Sequence, residues 1–530
     1  MGNGQIDRRA FLGAGAAGCA GLILGTTRAW ASDTQPGAIV ETSYGRIRGL
    51  VIDKVNAFKG IRYGAPTSGA NRFMPAVKPA AWTGVKEAME WGEEAPQGPH
   101  TEIAEVATTI PKLSVGEDCL ALNVWTNSFS SKRPVMVWLH GGGFASGNGC
   151  YTMYDGANLA RKRDVVTVTI NHRLNAFGYM YLAGIGGEKY ANSGNLGQMD
   201  IIAALNWVKD NISRFGGDPN NVTIYGQSGG AGKVSTLMAM PAAKGLFHRA
   251  IIQSGAALRG STPEAATRSA EAFLAKVGAK SVDELQSMPT AQLIAAATGG
   301  AGGGIGGFGP VLDGKTLIDG PFDPTAPALS ADIPVLIGST EYEVTFFPNT
   351  RYDALDDAAL LNAVKQALRT DDANAEKVIA AYKKGRPGLT NLDYSLILAS
   401  DNFRNSVVTE AERKSVQKAP VYMYYFRWQS PVSGGKLKSF HTLEIPFVME
   451  NVDEARGMTG EGKDRYALQD KVSAAWTNFA RTGNPSHKGL PNWPAFDTTK
   501  RATMLLNNDC RVANDPNGEE RRLVASLRRA

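Results

Sequence analysis

The stretch from Phe215 to Gly230, FGGDPNNVTIYGQSGG, constrains the fold of this 530-residue chain more than any other. Val222, Ile224 and Tyr225 are β-formers that run into Gly226-Gln227-Ser228-Gly229-Gly230, and a helical pattern follows, so the stretch reads strand, sharp turn, helix. Ser228 falls at the turn. Glycine around it lets the backbone bend tightly and keeps side chains out of the way, so the Oγ projects above a sheet, where the next helix N-terminus favours developing negative charge. A short glycine-serine turn also occurs as an ordinary loop. The strand before it, the helix after it and a second glycine loop upstream separate the nucleophile-elbow reading from that one.

That second loop is His140-Gly141-Gly142-Gly143-Phe144. It closes Val135-Met136-Val137-Trp138-Leu139, a continuous apolar run of the kind shown by a strand buried on both faces. Consecutive glycines allow backbone N–H groups to turn toward a substrate carbonyl unobstructed, which is an oxyanion hole. Asp164 to Ile170, Arg249 to Gly255, Ile333 to Gly338 and Val421 to Trp428 read as further strands. Ile201, Leu205, Val208, Ile212 and Phe215 form one apolar stripe of a helix that delivers the chain to the elbow strand. From Ala38 to Gly64, alternation around Tyr44-Gly45 and Asp53-Lys54 predicts an antiparallel meander opening the sheet. The fold class is therefore α/β, a large and mostly parallel central sheet flanked by helices, with functional groups at the C-terminal ends of its strands.

A serine activated in this way needs a histidine as base and a carboxylate to orient it, and elbow proteins carry them in the order serine, acid, histidine. Glu341 and Glu343 both lie just past the strand Ile333 to Gly338, and position alone leaves either open. Of the six histidines, His140 and His172 precede the serine, while His100 and His248 read as loop and packed or surface residues. His487 sits in a turn beside Gly483-Asn484-Pro485, whereas His441 directly follows the strand Val421 to Trp428.

These segments together resemble the type-B carboxylesterase and cholinesterase-like family of α/β-hydrolases. The resemblance runs from the FGG opening and G-x-S-x-G end of the elbow, through Glu117-Asp118-Cys119-Leu120 and Asn171-His172-Arg173-Leu174, to Trp476–Pro485 and Trp493-Pro494, and covers about Ile39 to Leu506. It implies a triad of Ser228, Glu343 and His441. Glu343 is selected by a G-x-x-x-x-E spacing from Gly338, with Glu341 as the fallback, and His441 by an H-x-x-E segment ending at Glu444. It also implies that Gly142, Gly143 and Gly229 donate to the oxyanion, and that insertions build an active-site gorge. Gln227, His172 and Val344 depart from the family's usual Glu, aromatic and Gly residues. The upstream cysteine that usually pairs with the one at Cys119 is replaced by Ala95, so Cys119 is expected to be a buried free thiol.

The implied reaction is hydrolysis of uncharged, short-to-medium carboxylic esters through an acyl-enzyme, with no cofactor and no metal. An amidase or carbamate hydrolase with the same triad, or a non-catalytic binding member of the fold, are the alternatives. A cholinesterase is disfavoured, because Gln227 removes a carboxylate beside the serine and no Trp lies between Ala95 and Cys119 to stack on a quaternary ammonium. Phe144, Phe177, Phe308, Phe346 and Phe347 are candidates for an apolar gorge wall. Gly309 to Thr316 satisfies the phosphate-loop pattern but lacks the buried strand before it and the helix after it.

Asp7-Arg8-Arg9-Ala10-Phe11-Leu12, a Gly/Ala-rich apolar run to Leu24 and Ala29-Trp30-Ala31 read as a twin-arginine export signal over residues 1–31. Residues 32–530 then form a single periplasmic or secreted domain. The apolar run is too short to span a bilayer, and Cys19 lacks the upstream aliphatic residue of a lipidation site. A net charge of +6 over so long a chain is no footprint for nucleic acid, so the expected partner is a small ester substrate.

Overall fold

A computed structural model of the protein describes residues 34–298 and 307–529. The export reading at Arg8-Arg9, Cys19 and Ala29-Trp30-Ala31 lies outside the described residues. Sheet formation begins with β1 (Thr34–Thr42), β2 (Gly45–Ile52) and β3 (Val55–Arg62), paired antiparallel as the alternation predicts. Asp53 and Lys54, at φ 47° and 70°, make the left-handed two-residue turn whose twist matches a hairpin.

The remaining strands are β4 (Val85–Glu87), β5 (Ala121–Thr126), β6 (Arg133–Leu139), β7 (Val166–Ile170), β8 (Gly217–Gln227), β9 (Arg249–Gln253), β10 (Val335–Thr340), β11 (Val421–Phe426), β12 (Ala502–Leu506) and β13 (Arg511–Asn514). Among the described residues they form one sheet in the order β1-β2-β3-β5-β7-β6-β8-β9-β10-β11-β12-β13, with β4 beside β2. From β7 to β12 in that order every pairing is parallel.

Strand β6 shows why these runs carry no polar alternation. Val135, Val137 and Leu139 enter the core on one face, with Ile201, Leu205 and Val208 of α1 (Leu196–Asn211), and the predicted stripe continues into a 3-10 turn carrying Ile212 and Phe215. Met136 and Trp138 enter a second core on the opposite face. Helices α2 (Gly229–Leu237) and α3 (Asn391–Ser415) follow the elbow and precede β11, and the second core includes Val472, Trp476 and Phe479 of α4 (Asp464–Thr482). A strand covered on both faces must be apolar along its covered length, which in β6 is Val135–Leu139.

Arg173 and Asp200 lock the loop after β7 to α1. Both are fully buried, and the guanidinium donates to the carboxylate through Nε at 2.8 Å and Nη2 at 2.6 Å. Cys119, Cys150 and Cys510 are buried free thiols, and Ala95 packs in the same core as Cys119. Gly309 to Thr316 is a loop whose Asp313 carboxylate accepts from the N–H groups of Lys315, Thr316 and Leu317, with no helix behind it. No helix among the described residues is long and apolar enough to cross a membrane.

Asp200→Ala leaves a buried guanidinium without its carboxylate and is expected to lower the unfolding free energy by about 3–5 kcal/mol, read from urea unfolding. A loss under about 1 kcal/mol would contradict this account of the pair.

Candidate active site

The sharp turn after β8 is built on strain. Ser228 sits at φ 57°, ψ −127°, outside the regions an L-residue ordinarily occupies, at a cost of about 1–3 kcal/mol that its surroundings must hold. Its N–H donates to Gln253 O at the end of β9 at 2.8 Å, and its carbonyl accepts from Gly232 N–H in α2 at 3.0 Å. Two glycines make the turn possible by allowing backbones to touch. A Cβ at Gly255 would stand 1.9 Å from Ser228 O, and one at Gly229 would stand 2.0 Å from Gly143 O. The second contact brings the glycine loop against the elbow.

In that loop Gly142 and Gly143 have φ of 83° and 61°. Within the loop, Gly142 O accepts from Ala145 and Ser146 N–H, and Phe144 O accepts from Asn175 N–H at 2.7 Å. The N–H groups of Gly142, Gly143 and Gly229 are donated to no acceptor among the described residues. They are free to meet a developing oxyanion.

The two remaining groups arrive on neighbouring loops, after β10 and β11. Tyr342 bridges to Phe440, its N–H donating to Ser439 O at 3.0 Å, while Thr345 Oγ1 donates to Leu437 O at 2.6 Å. These bonds set Glu343 beside His441, where the Glu343 Oε2 meets the imidazole Nδ1 directly. Glu343 Oε1 accepts from Thr340 N–H at 2.8 Å, so both carboxylate oxygens are held. Glu341 faces away, forming ion pairs with Arg427 at 3.0 Å and Arg386 at 3.7 Å.

Phe346, Phe347 and Phe403 pack around the His441 ring at centroid distances of 5.4, 6.0 and 5.0 Å. Of the phenylalanines expected along a gorge, Phe346 and Phe347 stand here and Phe144 belongs to the glycine loop. Phe177 and Phe308 instead pack in a satellite core with Phe73 and Phe273, which corrects the expectation for those two.

The other histidines have structural partners. His487 Nε2 meets Lys471 O, and His248 Nδ1 accepts from Val222 N–H. His100 lies between Glu94, at 3.0 Å, and Glu102, whose hydrogen bonds to it push its pKa up to about 9. Sequence reasoning treated it as a loop residue and missed the pair of acids.

It also left Glu444 without a role, although the H-x-x-E segment pointed to it. Glu444 is fully buried, and its Oε1 accepts from Gln253 Nε2 at 3.2 Å while Trp476 Nε1 donates to Gln253 Oε1 at 3.0 Å. Burial, reinforced by the charge of Glu343, pushes the Glu444 carboxyl up to about 8. Because the folded state holds this proton more tightly than the unfolded chain does, the group's contribution to stability falls as pH rises from about 4.3 toward 8. Glu444→Gln cannot ionise. The melting temperature of the variant relative to the parent protein is therefore expected to rise between pH 5 and pH 9, and a flat difference across that range would contradict the buried neutral carboxyl.

Known proteins resemble this chain over most of its length. The model of the carboxylesterase family matches residues 36–524. The chain is 38% identical over 500 residues to para-nitrobenzyl esterase of Bacillus subtilis, covering 91% of this chain and 97% of that one. It is 33% identical over 492 residues to phenmedipham hydrolase of Pseudarthrobacter oxydans, covering 90% and 97%. Among solved structures, a carboxylesterase of Geobacillus stearothermophilus superposes with a TM-score of 0.80 at 36% identity, covering 92% of this chain and 99% of that one. An esterase of Clostridium hathewayi that can hydrolyze aliphatic aromatic polyesters superposes with a TM-score of 0.81 at 33% identity, covering 94% and 100%.

Proposed function

The chain belongs to the carboxylesterase family, has the α/β-hydrolase fold and is a carboxylic ester hydrolase; we propose that it works by acyl transfer through Ser228. His441, oriented by Glu343 through Nδ1, takes the serine proton as Oγ attacks the ester carbonyl. The N–H groups of Gly142, Gly143 and Gly229 hold the oxyanion, His441 returns the proton to the leaving alcohol, and water then cleaves the acyl-enzyme. The observation that carries this reading is the contact of Glu343 with His441 Nδ1, which leaves Nε2 as the catalytic nitrogen, alongside a serine on strained backbone and three undonated amides.

The substrates proposed are uncharged, short-to-medium esters. The phenylalanine wall around His441 supports this, since a leaving alcohol that takes its proton from the imidazole must lie near Phe346, Phe347 and Phe403. The name of the Bacillus relative agrees with an ester that carries an aromatic alcohol. Residues 1–31 are read as the export signal of this enzyme, with residues 32–530 as one catalytic domain.

Hydrolysis of a p-nitrophenyl ester series by residues 32–530 tests the reading. Turnover should be abolished in Ser228→Ala, and the chain-length profile should size the acyl pocket. Glu343→Gln is expected to lower kcat by about 10⁴, as loss of the orienting carboxylate does elsewhere, with Glu341→Gln within about tenfold of the parent protein per folded molecule. Retained turnover in Ser228→Ala, or the reverse order of the two glutamates, would overturn it. A folded protein inert toward every ester but active on an amide or carbamate would shift the substrate class and keep the triad.

A further inference from the structure

Beneath the glycine loop lies a lysine for which the reaction scheme has no part. Lys233 stands on α2, one turn beyond Gly230, and is wholly buried. A buried ammonium ordinarily has a counter-charge or several acceptors to offset its lost hydration. Among the described residues no carboxylate pairs with this one, and its Nζ donates one hydrogen bond, at 3.0 Å, to the carbonyl oxygen of His140. Burial pulls its pKa down to about 7.

The acceptor is what gives the contact its meaning. The His140 carbonyl and the Gly141 N–H share one rigid peptide plane, the plane from which the glycine loop departs, so holding that oxygen sets the loop's starting direction. The first turn of α2 packs on the same oxygen, which would lie 2.9 Å from a Cβ at Gly230. At the far end of the loop the Phe144 ring centroid is 5.8 Å from the same Nζ, within reach of a cation–π attraction. One ammonium thus touches the loop at both ends.

Its neighbours are arranged to tolerate the charge without sharing it. His140 and His172 stack at 4.8 Å and 11°, and each brings Nδ1 to 2.9 Å from a carbonyl oxygen, those of Gly141 and Arg173. Each Nδ1 therefore carries the hydrogen. Burial first, and then the charge of Lys233, holds both rings well below the usual histidine range, so they stay neutral. A methionine would fill the same space without the desolvation cost; the amine is accounted for by the carbonyl it donates to.

We propose that Lys233 is a positioning residue for the oxyanion site: through His140 O and the face of Phe144 it holds the His140–Phe144 loop in the conformation that keeps the Gly142 and Gly143 N–H groups undonated. This rests on the acyl-transfer reading above.

The test uses the mature chain with Lys233→Met and Lys233→Arg. Three quantities are measured on each: steady-state hydrolysis of p-nitrophenyl butyrate, competent sites counted by the burst with a p-nitrophenyl phosphonate, and Ki for an aliphatic trifluoromethyl ketone, which adds to a serine as an oxyanion. Lys233→Met should keep its KM within about twofold while kcat per titrated site falls about 10- to 100-fold and the ketone Ki rises in parallel, the scale expected for a partly impaired oxyanion hole. Lys233→Arg keeps a donor and should retain more ketone affinity than Lys233→Met. A kcat per titrated site within threefold of the parent would overturn the proposal, as would a loss confined to the number of titratable sites or equal losses in the two variants. Parent protein inert toward ester, phosphonate and ketone alike would overturn the acyl-transfer reading itself, and the positioning role with it.

Discussion

A serine at positive φ must be held there by something stiffer than itself. Here the support is the parallel sheet: the Ser228 N–H is bonded to the end of β9, the carbonyl to α2, and β8 is flanked by β6 and β9. The same parallel arrangement brings the glycine loop of β6, the acid loop of β10 and the histidine loop of β11 to one end of the sheet. Strand direction decides which chain segments can meet Ser228.

Around that turn the structure substitutes backbone contact for side chains. Gly229 lies on Gly143 and Gly255 on Ser228, each closer than any Cβ allows. Charge is handled just as sparingly, because unpaired charge is costly away from water. Glu343 keeps both oxygens occupied, Glu341 is turned to two arginines, Glu444 takes a proton, and the paired rings of His140 and His172 stay neutral beside Lys233.

Local patterns were legible in the sequence where the physics is local. Strands such as Val135–Leu139, the stripe from Ile201 to Phe215, the two-residue turn at Asp53-Lys54 and the elbow itself are written within short windows of residues, and the structure has each of them. Strand position alone left Glu341 and Glu343 open and only the G-x-x-x-x-E spacing pointed to Glu343, because what separates them physically, the bonding of the Tyr342 and Phe440 segments and the pairing of Glu341 with Arg427 and Arg386, is long-range. The same limit hid the acids around His100, the link from Glu444 through Gln253 to Trp476, and the departure of Phe177 and Phe308 into a satellite core. Lys233 lies in an otherwise small-residue helix start, where no local pattern marks it as buried; only the assembled fold encloses it.

The proposed reaction rests on one strained serine carrying the acyl group. The most direct measurement is peptide mapping by mass spectrometry after reaction of the mature protein with diethyl p-nitrophenyl phosphate, with turnover followed in parallel. One phosphoryl adduct per molecule is expected, on the peptide carrying Ser228, appearing in step with loss of esterase activity. An adduct on another residue as activity disappears, or full labelling of Ser228 with turnover intact, would contradict it.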